Sequence, residues 1–89
     1  MTARPRIVAY LKPGCPWTAG VRALLAEYGL EYEHRDVSAD AEHYAEMVRK
    51  SGQHRAPCVE IDGHLLVDVG ADEVEAYLLQ QGIVKPRRR

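Results

Sequence analysis

The sequence predicts a small α/β fold of order β-α-β-α-β-β-α, a four-stranded mixed sheet with helices on both faces. Three observations carry this. Residues 6–11 (RIVAYL) are a short apolar run of strand-forming residues that ends at Lys12-Pro13-Gly14. Three later stretches repeat apolar residues at helical spacing, and a glycine closes each of them. Asp62-Gly63 stands between two apolar runs, and this dipeptide tolerates the positive φ angles of a two-residue hairpin turn.

The first run reads as a buried strand leaving into a tight loop. Val21, Leu24, Leu25 and Tyr28 then recur at i, i+3, i+4 and i+7, so a helix starts at Cys15 or Pro16 and stops at Gly29. Residues 30–37 alternate weakly and contain no helix breaker, which predicts a second strand. Ser38 or Asp40 can cap the second helix, although Ala41 stands where a capping box from Ser38 would need Glu. Tyr44, Met47 and Val48 share a face of that helix, and Gly52 can end it. Residues 57–61 and 64–67 form the hairpin. A third helix from about Ala71 puts Val74, Tyr77 and Leu78 on one stripe and stops at Gly82. Tyr28, Tyr44 and Tyr77 lie on helical stripes and are expected in the core.

With 89 residues the chain has material for one core, so residues 1–84 are expected to be a single domain followed by a basic tail at 85–89. No apolar stretch approaches the ~20 residues of a membrane span, and the run behind the N-terminus ends at Lys12, too early for a signal-peptide core. A cytoplasmic monomer is expected, in which two cysteines point to reactivity, metal or packing rather than to a structural disulfide. Twelve basic residues against thirteen acidic ones offer no net attraction to nucleic acid. Neither cysteine sits in a paired metal-ligand spacing, and His34, His43, His54 and His64 read as solvated surface residues, so no metal is expected.

Chemistry is expected where the first strand meets the first helix, in Lys12-Pro13-Gly14-Cys15-Pro16-Trp17-Thr18. A cysteine at a helix N-terminus faces unpaired N–H groups and the positive end of the helix dipole, and both favour thiolate. Lys12 adds a cation, and the amides of Trp17 and Thr18 with the Thr18 hydroxyl can donate to sulfur. Cys15 is therefore the candidate nucleophile. Trp17 reads equally as a partner-recognition surface or as a lid.

In these residues the chain resembles the glutaredoxins, proteins of thioredoxin fold in which a Lys precedes a Cys-Pro-Tyr-Cys motif at this spacing. Gly52-Gln53-His54-Arg55-Ala56-Pro57 is similar to the family's Gly-Gln-Arg-Thr-Val-Pro segment, and Val69-Gly70-Ala71-Asp72-Glu73 to its Gly-Gly-x-Asp-Asp segment. The resemblance implies a cis Pro57 facing Cys15, with Ala56 offering its backbone to a bound peptide as an added strand. It implies glutathione as co-substrate with no bound cofactor. Lys12 and Gln53 would hold the glycyl carboxylate, amides of Gly70 and Ala71 the γ-glutamyl carboxylate, and Asp72 the ammonium.

Thr18 stands where the family has its second cysteine, which leaves a monothiol route of deglutathionylation through Cys15. The implied partners are glutathione or another low-mass thiol, and disulfide-bearing or glutathionylated proteins. The Cys-Gly-Phe-Ser motif of cluster-transferring relatives is not matched. Val69 in place of the first glycine is expected to crowd the groove. Cys58 reads either as a buried strand residue or as a resolving thiol that pairs with Cys15 in a redox switch. The remaining alternative is a non-catalytic module that holds extended peptides or thiols in the same groove.

Overall fold

β1 (Ile7–Leu11) runs through the middle of the sheet with all five residues buried. A strand covered on both faces needs apolar side chains on both, so IVAYL shows no polar alternation. The computed structural model describes residues 4–86. Along the chain β1 is followed by α1 (Pro16–Glu27), β2 (Glu33–Asp36), α2 (Ala41–Ser51), β3 (Cys58–Ile61), β4 (His64–Leu66) and α3 (Ala71–Gln80). The sheet order is β2-β1-β3-β4, with β1 parallel to β2 and antiparallel to β3. This is the mixed sheet that the sequence predicts.

The two-residue period of β1 divides the core. Ile7, Ala9 and Leu11 join Val59 and Ile61 against Val21, Leu24 and Leu25 of α1 and Val74 and Leu78 of α3. Val8 and Tyr10 point the other way, with Cys58, toward Val37 and Met47 of the α2 side. β3 pairs with β4 through Asp62 and Gly63, whose φ angles of 49° and 88° are those of the predicted two-residue turn. Asp40, not Ser38, caps α2, its carboxylate accepting from the Glu42 and His43 amides.

β2 is shorter than the predicted 30–37. Gly29 turns left-handed at φ 65°, and the Leu30 N–H closes α1 on the Leu25 carbonyl at 2.9 Å. A residue used as a helix stop cannot also join a ladder. Leu30 and Tyr32 nevertheless pack on the core from the loop. Tyr44 is also placed differently from the expectation. It is 41% exposed, and Met47 alone among α2 residues is fully covered. Tyr28 and Tyr77 do pack against the core.

Behind the sheet, the α2 face is closed by a polar network. Arg35 donates to Glu33 and Glu46, and Lys50 donates to Glu60 at 2.9 Å and to the Tyr10 hydroxyl at 3.2 Å. Both cations also lie over the Tyr10 ring, 5.8 and 5.6 Å from its centre. Among the described residues no helix is long and apolar enough to cross a membrane, and Arg87-Arg88-Arg89 of the basic tail lie outside them.

Candidate active site

Cys15 is the N-cap of α1, held there by backbone geometry. Its N–H donates to the Lys12 carbonyl at 3.1 Å, its carbonyl accepts from Ala19 at 3.2 Å, and Pro16 occupies the first helical position. The side chain is half-buried and makes no capping hydrogen bond. The expected hydroxyl contact to sulfur is therefore replaced. Thr18 is 2% exposed, and its Oγ1 accepts the Lys12 N–H at 3.0 Å, so this hydroxyl braces the loop from inside.

The sulfur opens onto a cleft of about 760 Å³. Lys12, Pro13, Gly14, Cys15 and Trp17 form one wall, and His54, Arg55 and Ala56 face them. The Ala56–Pro57 peptide bond is cis, as the resemblance implies, and Pro57, itself buried, borders a smaller neighbouring recess with Trp17, Arg55, Asp68, Val69 and Gly70 rather than this cleft. The Pro57 carbonyl accepts from Val69 at 3.0 Å, which ties the segment before α3 to this turn.

A family model for glutaredoxin matches residues 7–66. The chain belongs to the glutaredoxin family. The solution structure of the glutaredoxin from Brucella melitensis is 36% identical, with a TM-score of 0.63 over 86% of this chain and 80% of that one. A thioredoxin-like protein of known crystal structure is 25% identical, with a TM-score of 0.72 over 80% of this chain and 97% of that one. A glutaredoxin-like 8.6 kDa protein of the rubredoxin operon of Clostridium pasteurianum is 28% identical, covering 81% of this chain and 96% of its own. The fold is the thioredoxin fold of the glutaredoxins, and the family's chemistry is thiol oxidoreduction.

This glutaredoxin-family cleft departs at several positions from what the resemblance implies. Gln53 is not in it. The Gln53 amide donates to Ser51 Oγ and the Arg55 carbonyl and lies 3.5 Å from Cys58 Sγ, while its Oε1 accepts the Arg55 N–H at 2.7 Å. A side chain with both ends engaged by its own loop has none left for a glycyl carboxylate. At the far end, the Gly70 N–H is taken by Glu73 Oε1 at 2.8 Å, so α3 caps itself.

The Trp17 ring, 65% exposed, lies directly over Gly70, where a Cβ would come within 2.6 Å of it. Trp17 thus crowds this end of the groove together with Val69, which packs partly on the core and lines the same recess as Trp17 and Gly70. Ala71 and the exposed Asp72 line a separate shallow recess with Pro16, Trp17 and Gly20.

Tyr44, Val37, Ser38 and Asp68 also line the cleft, with no motif in the sequence that marks them for it. Asp68 holds a positive φ of 55° and stands 3.8 Å from the Arg55 guanidinium. An Asp two residues after a strand is a weak turn signal, and its pairing with Arg55 depends on the fold. Tyr44 was legible only as an apolar stripe residue.

Cys58 is fully buried. Its thiol donates to the Arg55 carbonyl at 3.3 Å. Burial pushes this thiol up, against hydrogen bonds from the Asp68 backbone and the Ser51 and Gln53 side chains that pull it down. The buried reading of Cys58 is the one its surroundings match. Among the histidines, His64 is exposed as expected and also stacks on Tyr77 at 4.8 Å, whereas His43 is half-buried beside Asp40.

Proposed function

We propose that this protein catalyses glutathione-dependent thiol–disulfide exchange by a monothiol route through Cys15. The observation that carries the reading is that half-buried Cys15, at the mouth of α1, lines one cleft with Arg55 and Ala56, the residues just before the cis Pro57 bond, with buried Thr18 where a resolving cysteine would be.

In the reaction the Cys15 thiolate attacks the glutathione sulfur of a mixed disulfide. The substrate disulfide breaks, the substrate leaves as a thiolate that takes up a proton, and Cys15 is left joined to glutathione. A second glutathione thiolate then attacks the glutathione sulfur of that adduct, which frees Cys15 and yields oxidised glutathione. No electrons are left over.

Lys12, exposed on the cleft wall, supplies a cation for the glycyl carboxylate, and Arg55 takes the part assigned to Gln53 by analogy. Ala56 gives the strand-like backbone contact. At the γ-glutamyl end Trp17 lies over Gly70, and with the Gly70 N–H taken by Glu73 the remaining first-turn amides of α3 and Asp72, in the recess beside Trp17, complete the site. The protein acts as a single-domain monomer in the reducing cytoplasm, on glutathionylated or disulfide-bearing proteins.

The test is turnover of a glutathionylated peptide in the presence of glutathione. Wild type and Cys58→Ser are expected to turn over and Cys15→Ser is not. Turnover that survives Cys15→Ser, or that is never above the uncatalysed exchange, refutes the reading.

A further inference from the structure

Gln53 follows the left-handed Gly52 that ends α2, and its side chain folds back on the turn leading into β3. Oε1 accepts the Arg55 N–H at 2.7 Å, and Nε2 donates to the Arg55 carbonyl at 2.9 Å. One primary amide thus pairs both polar atoms of one residue's backbone, as a neighbouring strand would. The orientation of the amide follows from chemistry, because a backbone N–H can only donate and a carbonyl can only accept.

The same Nε2 reaches Ser51 Oγ at 3.0 Å and Cys58 Sγ at 3.5 Å, while the Cys58 thiol donates to the Arg55 carbonyl at 3.3 Å. With its backbone turned inward and held, Arg55 leaves its side chain exposed on the cleft, paired with Asp68, and Ala56 follows on the cleft wall.

We propose that Gln53 is a positioning residue for the thiol-exchange site, acting through the Arg55 backbone to present Arg55 and Ala56 opposite Cys15. This rests on the function proposed above and replaces direct ligand binding by Gln53 with indirect control of the wall that binds. The donor half of the amide is the decisive part. A carboxylate in its place would keep the Arg55 N–H but would set a negative oxygen against the Arg55 carbonyl, which can only accept. A protonated carboxyl would restore the donor.

Gln53→Glu is therefore a pH-dependent probe. The titratable and charged groups around the introduced carboxyl are the Cys58 thiol on β3, His54 beside it in the chain, and the Arg55–Asp68 pair beyond the turn. Wild type carries all of these and Cys15, so the ratio of variant to wild type at each pH isolates the new group. At neutral pH, kcat/KM for a glutathionylated peptide is expected to fall about tenfold through KM, with kcat and the alkylation rate of Cys15 little changed. As pH drops through the carboxyl range, around 4 to 5, the ratio is expected to return to within about twofold of unity. Gln53→Ala, which has no donor at any pH, should show no such recovery.

A second readout needs no turnover. In Gln53→Glu the Arg55 and Ala56 amide resonances should titrate with the introduced carboxyl. If wild type shows no exchange activity, the functional reading fails and these resonances alone decide the positioning role. Unmoved resonances, a loss in kcat/KM that acid does not reverse, or a loss carried by kcat or by slower Cys15 alkylation would overturn it.

Discussion

Cys15 lines the cleft and Cys58 does not, and the two thiols differ in burial and in hydrogen bonding. Cys15 caps a helix, is half-buried, and has no hydrogen bond from the first turn of α1. Cys58 lies in a strand among Val8, Tyr10, Val37 and Met47, donates to the Arg55 carbonyl, and has its ionisation pushed up by burial. Reactivity is thus a property of the element that carries the sulfur. A helix mouth leaves a side chain at the surface next to unpaired amides, whereas a central strand covers alternate side chains with the next layer.

The largest effect that separates the two should be on turnover. Cys15→Ser is expected to lower kcat/KM for a glutathionylated peptide by about three orders of magnitude or more, because no neighbouring group replaces the nucleophile. Cys58→Ser should stay within a fewfold of wild type. A smaller effect should appear in stability, with the order reversed. Cys58→Ala removes a buried sulfur and leaves the Arg55 carbonyl with one donor fewer, which should destabilise by about 1–2 kcal/mol in urea unfolding. Cys15→Ala should change stability by less than about 0.5 kcal/mol.

The shelter of Cys58 also depends on pH, because α2 is held over it by charge. Burial works to raise the Glu46 pKa, but hydrogen bonds from Arg35 and Tyr10 and the charges of Arg35 and Lys50 outweigh it and hold the carboxyl below its ordinary 4.5. A depressed carboxyl contributes stability that is present above 4.5 and is lost as pH falls through the folded-state value. The urea midpoint should therefore fall on acidification below about 4.5, and Glu46→Gln should flatten that fall.

The smallest effect lies on the Cys15 side. Gly70→Ala puts a methyl where the Trp17 ring lies, and an exposed ring can swing clear. The expected result is a red shift of Trp17 emission with a stability change below about 1 kcal/mol.

The sequence made the helices, their stops and the hairpin legible because each rests on local chemistry, such as Gly29, Gly52 and Gly82 at positive φ and Asp62-Gly63 in the turn. Position at the helix mouth was legible for Cys15 for the same reason. What escaped was set by competition between partners. Leu30 reads as strand, yet its N–H closes α1. Thr18 reads as a donor to the Cys15 sulfur and Gln53, by resemblance, as a ligand group, yet each is hydrogen-bonded to a backbone group of its own loop. Tyr44 and Asp68 reach the cleft only because the fold starts α2 and leaves β4 beside it. Such choices depend on distances that no spacing rule contains.

The most direct measurement is timed alkylation of the native, reduced protein by iodoacetamide, with each cysteine followed by peptide mass spectrometry. Cys15 should be labelled at least about 100-fold faster than Cys58, which becomes accessible only when the structure opens. Equal rates, or Cys58 labelled first, would contradict the assignment of the chemistry to Cys15.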